Sequence, residues 1–217
     1  MSGAVSTLLL ARHGRTAHNS AGKIQGRSQV PLDETGEQQA RQLAKHIAGL
    51  ESRPSQIWAS DLLRAGQTAG EVAARLGLPI TTDVRLREQE FGEYEGHLLS
   101  ELLAENPQFA KAWTQDFSLL HPPGGDSFAQ TTARMLDWFE TARPRKAGEV
   151  VLAVSHGLAL TGLLCALSGL TPREAMRQEL FRHANAAYTV LTLDHESGEV
   201  LGCSSVQNGH LTLLATS

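Results

Sequence analysis

The sequence predicts an α/β fold: a mostly parallel central sheet with helices on both faces. Three observations lead there. Short apolar runs, at residues 6–11 and above all 150–154, are continuous rather than alternating, as strands buried on both faces must be. Segments of helical spacing lie between the strand-like runs, which is the order of a sheet built from crossover units. The 217 residues, 41% of them hydrophobic and 19% charged, suit one globular domain over 1–217; disordered, collagen-like and coiled-coil chains have other compositions.

The elements follow in order. Residues 6–11 read as a buried strand ended by the turn signal His13-Gly14. Residues 14–33 are polar and glycine-containing, a loop. Residues 34–50 place Ala40, Leu43, Ala44, Ile47 and Leu50 on one helical face. Residues 56–59 form a short strand, after which Ser60 or Asp61 can cap a helix running to about Leu76. Gly77 and Pro79 end that helix, and residues 80–86 look like a third strand. Residues 87–125 hold short helical pieces and the loop His121-Pro122-Pro123-Gly124-Gly125, a cap insertion over one edge of the sheet. Asp126 or Ser127 caps a helix to about Thr141. The central strand at 150–154 is followed by a buried helix at 158–167. Strands at 188–193 and 200–206 are joined at Ser197-Gly198. An edge strand at 200–206 can pair between chains, which leaves monomer and homodimer both open.

Charge is uneven. The first 32 residues carry Arg12, Arg15, Lys23 and Arg27 and no acid, a formal +4, whereas the chain as a whole is −4. A basic segment in an acidic protein points to a local anion site. Nucleic acid fits poorly as the anion, because residues 1–57 contain no aromatic for a base to stack on and the net charge opposes backbone binding. The two cysteines, Cys165 and Cys203, make no disulfide framework, so a reducing compartment is the simpler reading. The apolar run at 8–11 is cut by Arg12 and lacks a basic leader, and 158–170 is too short to span a bilayer. The expectation is a cytoplasmic protein with no membrane partner.

In open α/β sheets, ligands sit beyond the carboxyl ends of the parallel strands. Three expected strands end there in reactive residues: Arg12-His13-Gly14, Ser60-Asp61 leading to Arg64, and Ser155-His156-Gly157. Glu88, Glu90, Glu93 and Glu95 follow the third strand. Each piece alone is an ordinary turn, surface arginine or solvated acid; their joint occurrence at three strand ends is not. Two guanidiniums and an imidazolium suit a doubly charged oxyanion. A histidine held neutral among cations can be a nucleophile. A carboxyl group can protonate a leaving alcohol and then act as base toward water, best with a pKa raised toward the operating pH. Such a site transfers phosphoryl groups on side-chain charge, with no metal required. Competing motifs fail on spacing. Gly14 and Gly22-Lys23 stand too far apart for a phosphate-binding loop, no Gly-x-Ser-x-Gly elbow occurs, and His13 and His18 form no helical zinc pair.

These residues resemble a known family. Residues 10–19, with Arg12-His13-Gly14-Arg15-Thr16 and Asn19, are similar to the Arg-His-Gly-x-Thr-x-x-Asn signature of the histidine phosphatase superfamily, phosphoglycerate mutase-like branch. Further blocks agree in order: Pro31 to Gly36, Ser60 to Ala69 with Arg64, Leu86-Arg87-Glu88, Phe91 to Gly96, Pro123 to Ser127 with Asp126 in place of the usual Glu, and Val154 to Gly157. Ala184-Asn185-Ala186 extends the series. The resemblance implies a three-layer sandwich with a small cap, a phosphorylated nucleophile at His13, and phosphoryl binding by Arg12, Arg64 and His156. It implies phosphate or substrate contacts from Gly14, Thr16, Asn19, Gln25, Gly26 and Gly157, and Glu88 as proton donor and base, with Glu90 the next candidate. It implies a small phosphorylated metabolite as substrate and no cofactor. Mutases of the family carry a longer, more basic insertion, whereas residues 96–124 hold Lys111 as their one Lys or Arg. A phosphatase is therefore expected ahead of a mutase, and ahead of a phospho-ligand binder without turnover. His97, His121, His183, His195 and His210 have no assigned role.

Overall fold

The computed structural model describes residues 4–211. Its sheet has six strands in the order β3-β2-β4-β1-β5-β6: β1 Val5–Arg12, β2 Gln56–Ala59, β3 Ile80–Thr82, β4 Val150–Ser155, β5 Tyr188–Asp194 and β6 Val200–Cys203. The pairings β3-β2, β2-β4 and β4-β1 are parallel, and β1-β5 and β5-β6 are antiparallel. The sheet is mixed but mostly parallel, the class the sequence predicts.

β1 divides two cores. Leu8 and Leu10 pack with Met135, Trp138 and Phe139 of α6 (Phe128–Ala142) and with Leu160, Leu163 and Leu164 of α7 (Gly157–Ser168). Leu9 and Ala11 face Leu43, Ala44 and Ile47 of α2 (Glu34–Ala48) and Ala65, Ala69 and Val72 of α3 (Leu63–Leu76). Helices cover both faces, so β1 and β4 have no polar side and their sequences run apolar. All six residues of β4 are buried. Among the described residues, no helix is long and apolar enough to cross a membrane.

Several expected boundaries move, each for a local reason. The loop at 14–33 contains a short helix, α1 (Ala17–Ser20), closed by a capping box between Thr16 and Asn19. Asp61 does not cap α3. Its carboxylate instead takes two charge-assisted bonds from Arg87, at 2.7 and 2.5 Å, and α3 starts on Leu62 with no side-chain cap. β3 stops at Thr82 because the Asp83 carboxylate accepts the Arg85 N–H at 2.8 Å and turns the chain into a 3₁₀ turn, Val84–Leu86. β6 ends at Cys203, short of the expected 206. A second helix that was not foreseen is α8 (Pro172–Arg177), with Thr171 and Glu174 as its capping box.

The insertion carries α4 (Leu99–Glu105) and α5 (Pro107–Gln115). Its Phe91, Leu102, Phe109, Ala112 and Leu120 form a third apolar cluster with Ile24, Phe128 and Leu158. Ile24 belongs to the loop after β1 and Leu158 to the start of α7. The insertion therefore lies over the carboxyl ends of the central strands, not over a sheet edge, because that is where its apolar side chains find partners.

The loop after β1 meets the first turn of α2 with no room to spare. A Cβ on Gly36 would lie 1.9 Å from the Arg15 carbonyl oxygen, and one on Gly14 would lie 2.5 Å from the Gly36 carbonyl oxygen. In an exposed helix, Gly→Ala stabilises by about 0.5–1 kcal/mol. Here the neighbour is backbone and cannot swing aside, so Gly36→Ala is expected to destabilise by roughly 2 kcal/mol. Urea unfolding measures this; an unchanged or raised midpoint would refute the close approach.

Candidate active site

Strand register assembles the site. Arg12 is paired with Ser155 across β1 and β4, so the next residues, His13 and His156, leave adjacent parallel strands side by side. Their ring centroids are 5.1 Å apart. Ala59 is paired with Val154, so β2 ends at the same level, and α3 then presents Arg64 from its first turn.

The His13 ring has one tautomer. Its Nδ1 lies 2.7 Å from the Gly14 carbonyl oxygen, which can only accept, so Nδ1 carries the hydrogen. Nε2 keeps its lone pair, and Arg64 Nε donates toward it from 3.2 Å. Behind the ring, Gly14 N–H donates to Thr68 Oγ1 at 3.0 Å, and that hydroxyl donates to the Arg64 carbonyl at 2.8 Å. Burial, then Arg64 and Arg12, push His13 well below the ordinary histidine range, against the pull of the Gly14 carbonyl. The imidazole is neutral at neutral pH.

The arginines are held by backbone carbonyls. Arg64 donates to Ser28 and Gly26 oxygens, both at 2.8 Å, and burial lowers its pKa to about 10. Arg12 donates to the His183 carbonyl at 2.7 Å; burial lowers its pKa too, while Glu88 opposes the shift. Arg12 Nε and both ring nitrogens of His156 are buried and make no hydrogen bond among the described residues. Burial first, then Arg64, His13 and Arg12, push His156 well below the ordinary range. This corrects the expectation of an imidazolium: His156 is neutral in the free protein. A dianion placed among these groups would reverse the Coulomb effect and favour its proton.

Glu88 and Glu90 take different directions. Residues 87–91 form no strand, so although two residues apart, a spacing that would put them on one face of a strand, the two carboxylates part. Glu88 accepts N–H groups of Gln89 at 3.0 Å, Ala159 at 2.9 Å and Leu158 at 3.2 Å, which seats it at the N-terminus of α7. Glu90 pairs with Arg27 at 2.5 Å.

A cavity of about 1020 Å³ opens over these groups, lined by Arg12, His13, Asn19, Gln25, Gly26, Arg64, Glu88 and Gly157 together with residues of the cap and α8. Gly14, Thr16 and His156 are not on its wall; His156 is fully buried beside His13. Gly14 grips the back of the His13 ring, and Thr16, fully buried, caps α1 and donates to Gln25 Oε1 at 2.8 Å. Sequence reasoning missed two supports. Asn185 Nδ2 donates to the His13 carbonyl at 3.2 Å and to Asn19 Oδ1 at 3.1 Å. His183, buried, has its ring between the Phe181 carbonyl at 3.1 Å and the Thr189 hydroxyl at 2.9 Å, while its own carbonyl holds Arg12. The signal for the first was the Ala184-Asn185-Ala186 block; a lone histidine in a loop offers none for the second. Among the described residues, no group of three or more His, Cys, Asp or Glu side chains is placed to hold a metal ion.

The chemistry this permits is capture of a tetrahedral oxyanion beside a histidine lone pair. It also has a cost in acid. His13, His156 and His183 have folded-state pKa values below the unfolded value of about 6.5, with His183 at about 4. Below pH 6.5 the unfolded chain therefore binds protons that the folded chain refuses, and stability falls as pH drops from about 6.5 toward 4. Urea midpoints at pH 7 and pH 5 measure this; equal midpoints would contradict the buried neutral histidines.

Comparison with known proteins agrees with this geometry. Residues 8–205 match the model of the histidine phosphatase superfamily (branch 1). A probable phosphoglycerate mutase, GpmB, of Yersinia enterocolitica is 36% identical over 173 residues, 80% of each chain. The solved structure of a mycobacterial glucosyl-3-phosphoglycerate phosphatase in complex with VO3 is 31% identical with a TM-score of 0.75, covering 85% of this chain and 92% of that one. A phosphoserine phosphatase from Entamoeba histolytica, in complex with 3-phosphoglyceric acid, is 25% identical with a TM-score of 0.80, covering 95% of this chain and 100% of that one. The family model spans the strand ends, the two histidines and Arg64 alike, and the protein therefore belongs to the histidine phosphatase superfamily, whose members here are phosphatases and mutases.

Proposed function

We propose that the protein is a metal-independent phosphomonoester hydrolase that works through a phosphohistidine on His13, with Glu88 as general acid and base. The observation that carries this reading is the fixed tautomer. The hydrogen on Nδ1 is committed to the Gly14 carbonyl, so the Nε2 lone pair points into a buried, cationic pocket.

The phosphoryl dianion binds between Arg12, Arg64 and His156; Arg12 Nε and the His156 ring nitrogens have no hydrogen-bond partner among the described residues, and Arg64 Nε, now directed at His13 Nε2, is beside them. Nε2 of His13 attacks phosphorus in line while the ester P–O bond breaks, and the proton on Glu88 passes to the departing alkoxide. Water then attacks the phosphohistidine, giving its proton to Glu88, and the N–P bond breaks to release phosphate. Side chains supply all the charge stabilisation. The substrate is a small phosphorylated metabolite and the setting cytoplasmic; neither nucleic acid nor membrane is a partner.

Transfer back to a sugar acid, as in a mutase, is the second reading. It is favoured by the relatives named as probable mutases. Lys111 as the one Lys or Arg in residues 96–124 and the phosphatase names of solved neighbours favour hydrolysis.

EDTA-treated protein is expected to release phosphate from a panel of phosphomonoesters. No release, together with isomerisation of 3-phosphoglycerate, would install the mutase instead. His13→Ala is expected to lose at least about a thousandfold in kcat and to abolish an acid-labile phosphoenzyme; full activity would sink the mechanism. Glu88→Gln should lower kcat by about 10²–10⁴. With p-nitrophenyl phosphate, whose leaving group departs without a proton, it should show a burst of nitrophenol before a slow water step. Wild-type steady-state turnover in Glu88→Gln would remove Glu88 from the reaction.

A further inference from the structure

The cavity extends well past the phosphoryl pole. At about 1020 Å³, it lies at the top of the range of roughly 300–1,000 Å³ that holds whole drug-sized ligands. A three-carbon phosphate ester would leave most of it unfilled. Part of the outer wall is aromatic: Phe91, Trp113 and Phe117, with Trp113 edge-on to both phenylalanines. Another part is cationic: Lys23, Arg173, Arg177 and Arg182. With Arg12 and Arg64 deeper in, cationic side chains face a single carboxylate, Glu88, across this lining, in a chain whose net charge is −4.

The outer cations differ from the protein's ion-paired arginines, although Arg53 and Arg75 elsewhere are likewise without an ion pair or side-chain hydrogen bond among the described residues. Arg27, Arg85 and Arg87 are each paired with carboxylates. Lys23, Arg173, Arg177 and Arg182 are exposed and have no ion pair or side-chain hydrogen bond among the described residues. Arg173 and Arg177 stand one turn apart on α8, a like-charge spacing that weakens a helix. The nearby Glu174 carboxylate is committed to the Thr171 N–H and hydroxyl, at 2.8 and 2.7 Å.

The backbone around Arg182 is also unusual. Glu179 and Phe181 adopt left-handed φ values of 54° and 61°, unfavourable for residues with a Cβ. The result is that Phe181 is buried, its carbonyl taking bonds from Thr161 Oγ1 and His183 Nδ1, while Arg182 between them is exposed at the cavity. Strain of this kind persists where placement serves a site.

We propose that Arg173, Arg177 and Arg182, with Lys23, form a second anion subsite. The preferred substrate is then an extended phosphomonoester: its reactive phosphate at His13, a flat or apolar body along Trp113 and Phe117, and a distal carboxylate or phosphate at the rim. The proposal rests on His13 as phosphoryl acceptor.

A matched pair of substrates tests it. Biphenyl-4-yl phosphate and its 4′-carboxylate differ by one distal charge, too remote to alter the leaving group much, and phenyl phosphate reports the chemistry alone. The wild type is expected to favour the carboxylate in kcat/KM by about tenfold or more, the scale of one charge-assisted contact, through KM rather than kcat. In the combined Arg173→Gln, Arg177→Gln, Arg182→Gln variant, and at high salt, the ratio should fall toward one. Equal kcat/KM for the two biphenyls in the wild type would overturn the subsite, as would a preference that survives the triple substitution. Failure to hydrolyse phenyl phosphate as well would instead overturn the phosphatase reading beneath it.

Discussion

The parallel pairing of β1 with β4 is the constraint on which the site depends. Six residue pairs run from Thr7 with Val150 to Arg12 with Ser155. Because the two strands point the same way and end level, the residues that follow them emerge as neighbours. His13 and His156 come from distant parts of the chain, yet neither has freedom to be elsewhere once the ladder forms. β2 adds Arg64 by the same device, through its pairing with β4. The apolar layers beneath, Leu8 and Leu10 on one face and Leu9 and Ala11 on the other, stabilise the ladder, and a slip of one residue would exchange the two faces.

Burying this much positive potential is unfavourable unless polar groups answer it. The protein answers with backbone oxygens rather than carboxylates: His183 for Arg12, and Ser28 and Gly26 for Arg64. Dipoles satisfy the guanidiniums without cancelling their charge. Glu88, the one acid on the wall among the described residues, is drawn to the N-terminus of α7, where the helix dipole favours a carboxylate. The histidines respond by staying neutral. One arrangement therefore gathers buried cationic donors around an unprotonated imidazole, and both follow from low dielectric and fixed donors.

The inner and outer parts of the cavity are built differently. Arg12, His13, Arg64 and His156 sit at strand ends or in the first turn of a helix set by the sheet, with Glu88 reaching them from the irregular segment at 87–91. The outer wall comes from short elements, α5 in the cap and α8 after α7, and from a strained stretch around Phe181. Function carried on such peripheral pieces can vary without disturbing the scaffold. The Arg27 side chain ties the two regions, reaching Glu90 in the cap and Asp126 before α6.

Continuous apolar runs were enough to place β1 and β4, because a strand covered on both faces must be apolar throughout. Helical spacing was enough for α2, cap and stop signals bounded α3 and α6, and α7, with Leu158 to Cys165 all buried, showed as a continuous apolar run. Arg12, His13, Arg64 and His156 were legible as strand-end residues for the same reason. What sequence reading lost was short or non-local. α8 has six residues, less than two turns, so no period exists to detect. Asp61 looked like a cap until Arg87 outbid the helix for its carboxylate. The resemblance ranked Glu88 ahead of Glu90, but their different seats emerged only with the irregular backbone of residues 87–91, α7 taking one carboxylate and Arg27 the other. Residue types and periodicity are properties of the chain itself, and by itself the sequence determined the layers, the strands and the reactive residues at their ends. Only the tertiary structure decided the His13 tautomer, the neutrality of His156, the seat of Glu88 and the cationic rim, because each depends on a partner that the fold, not the chain, brings near.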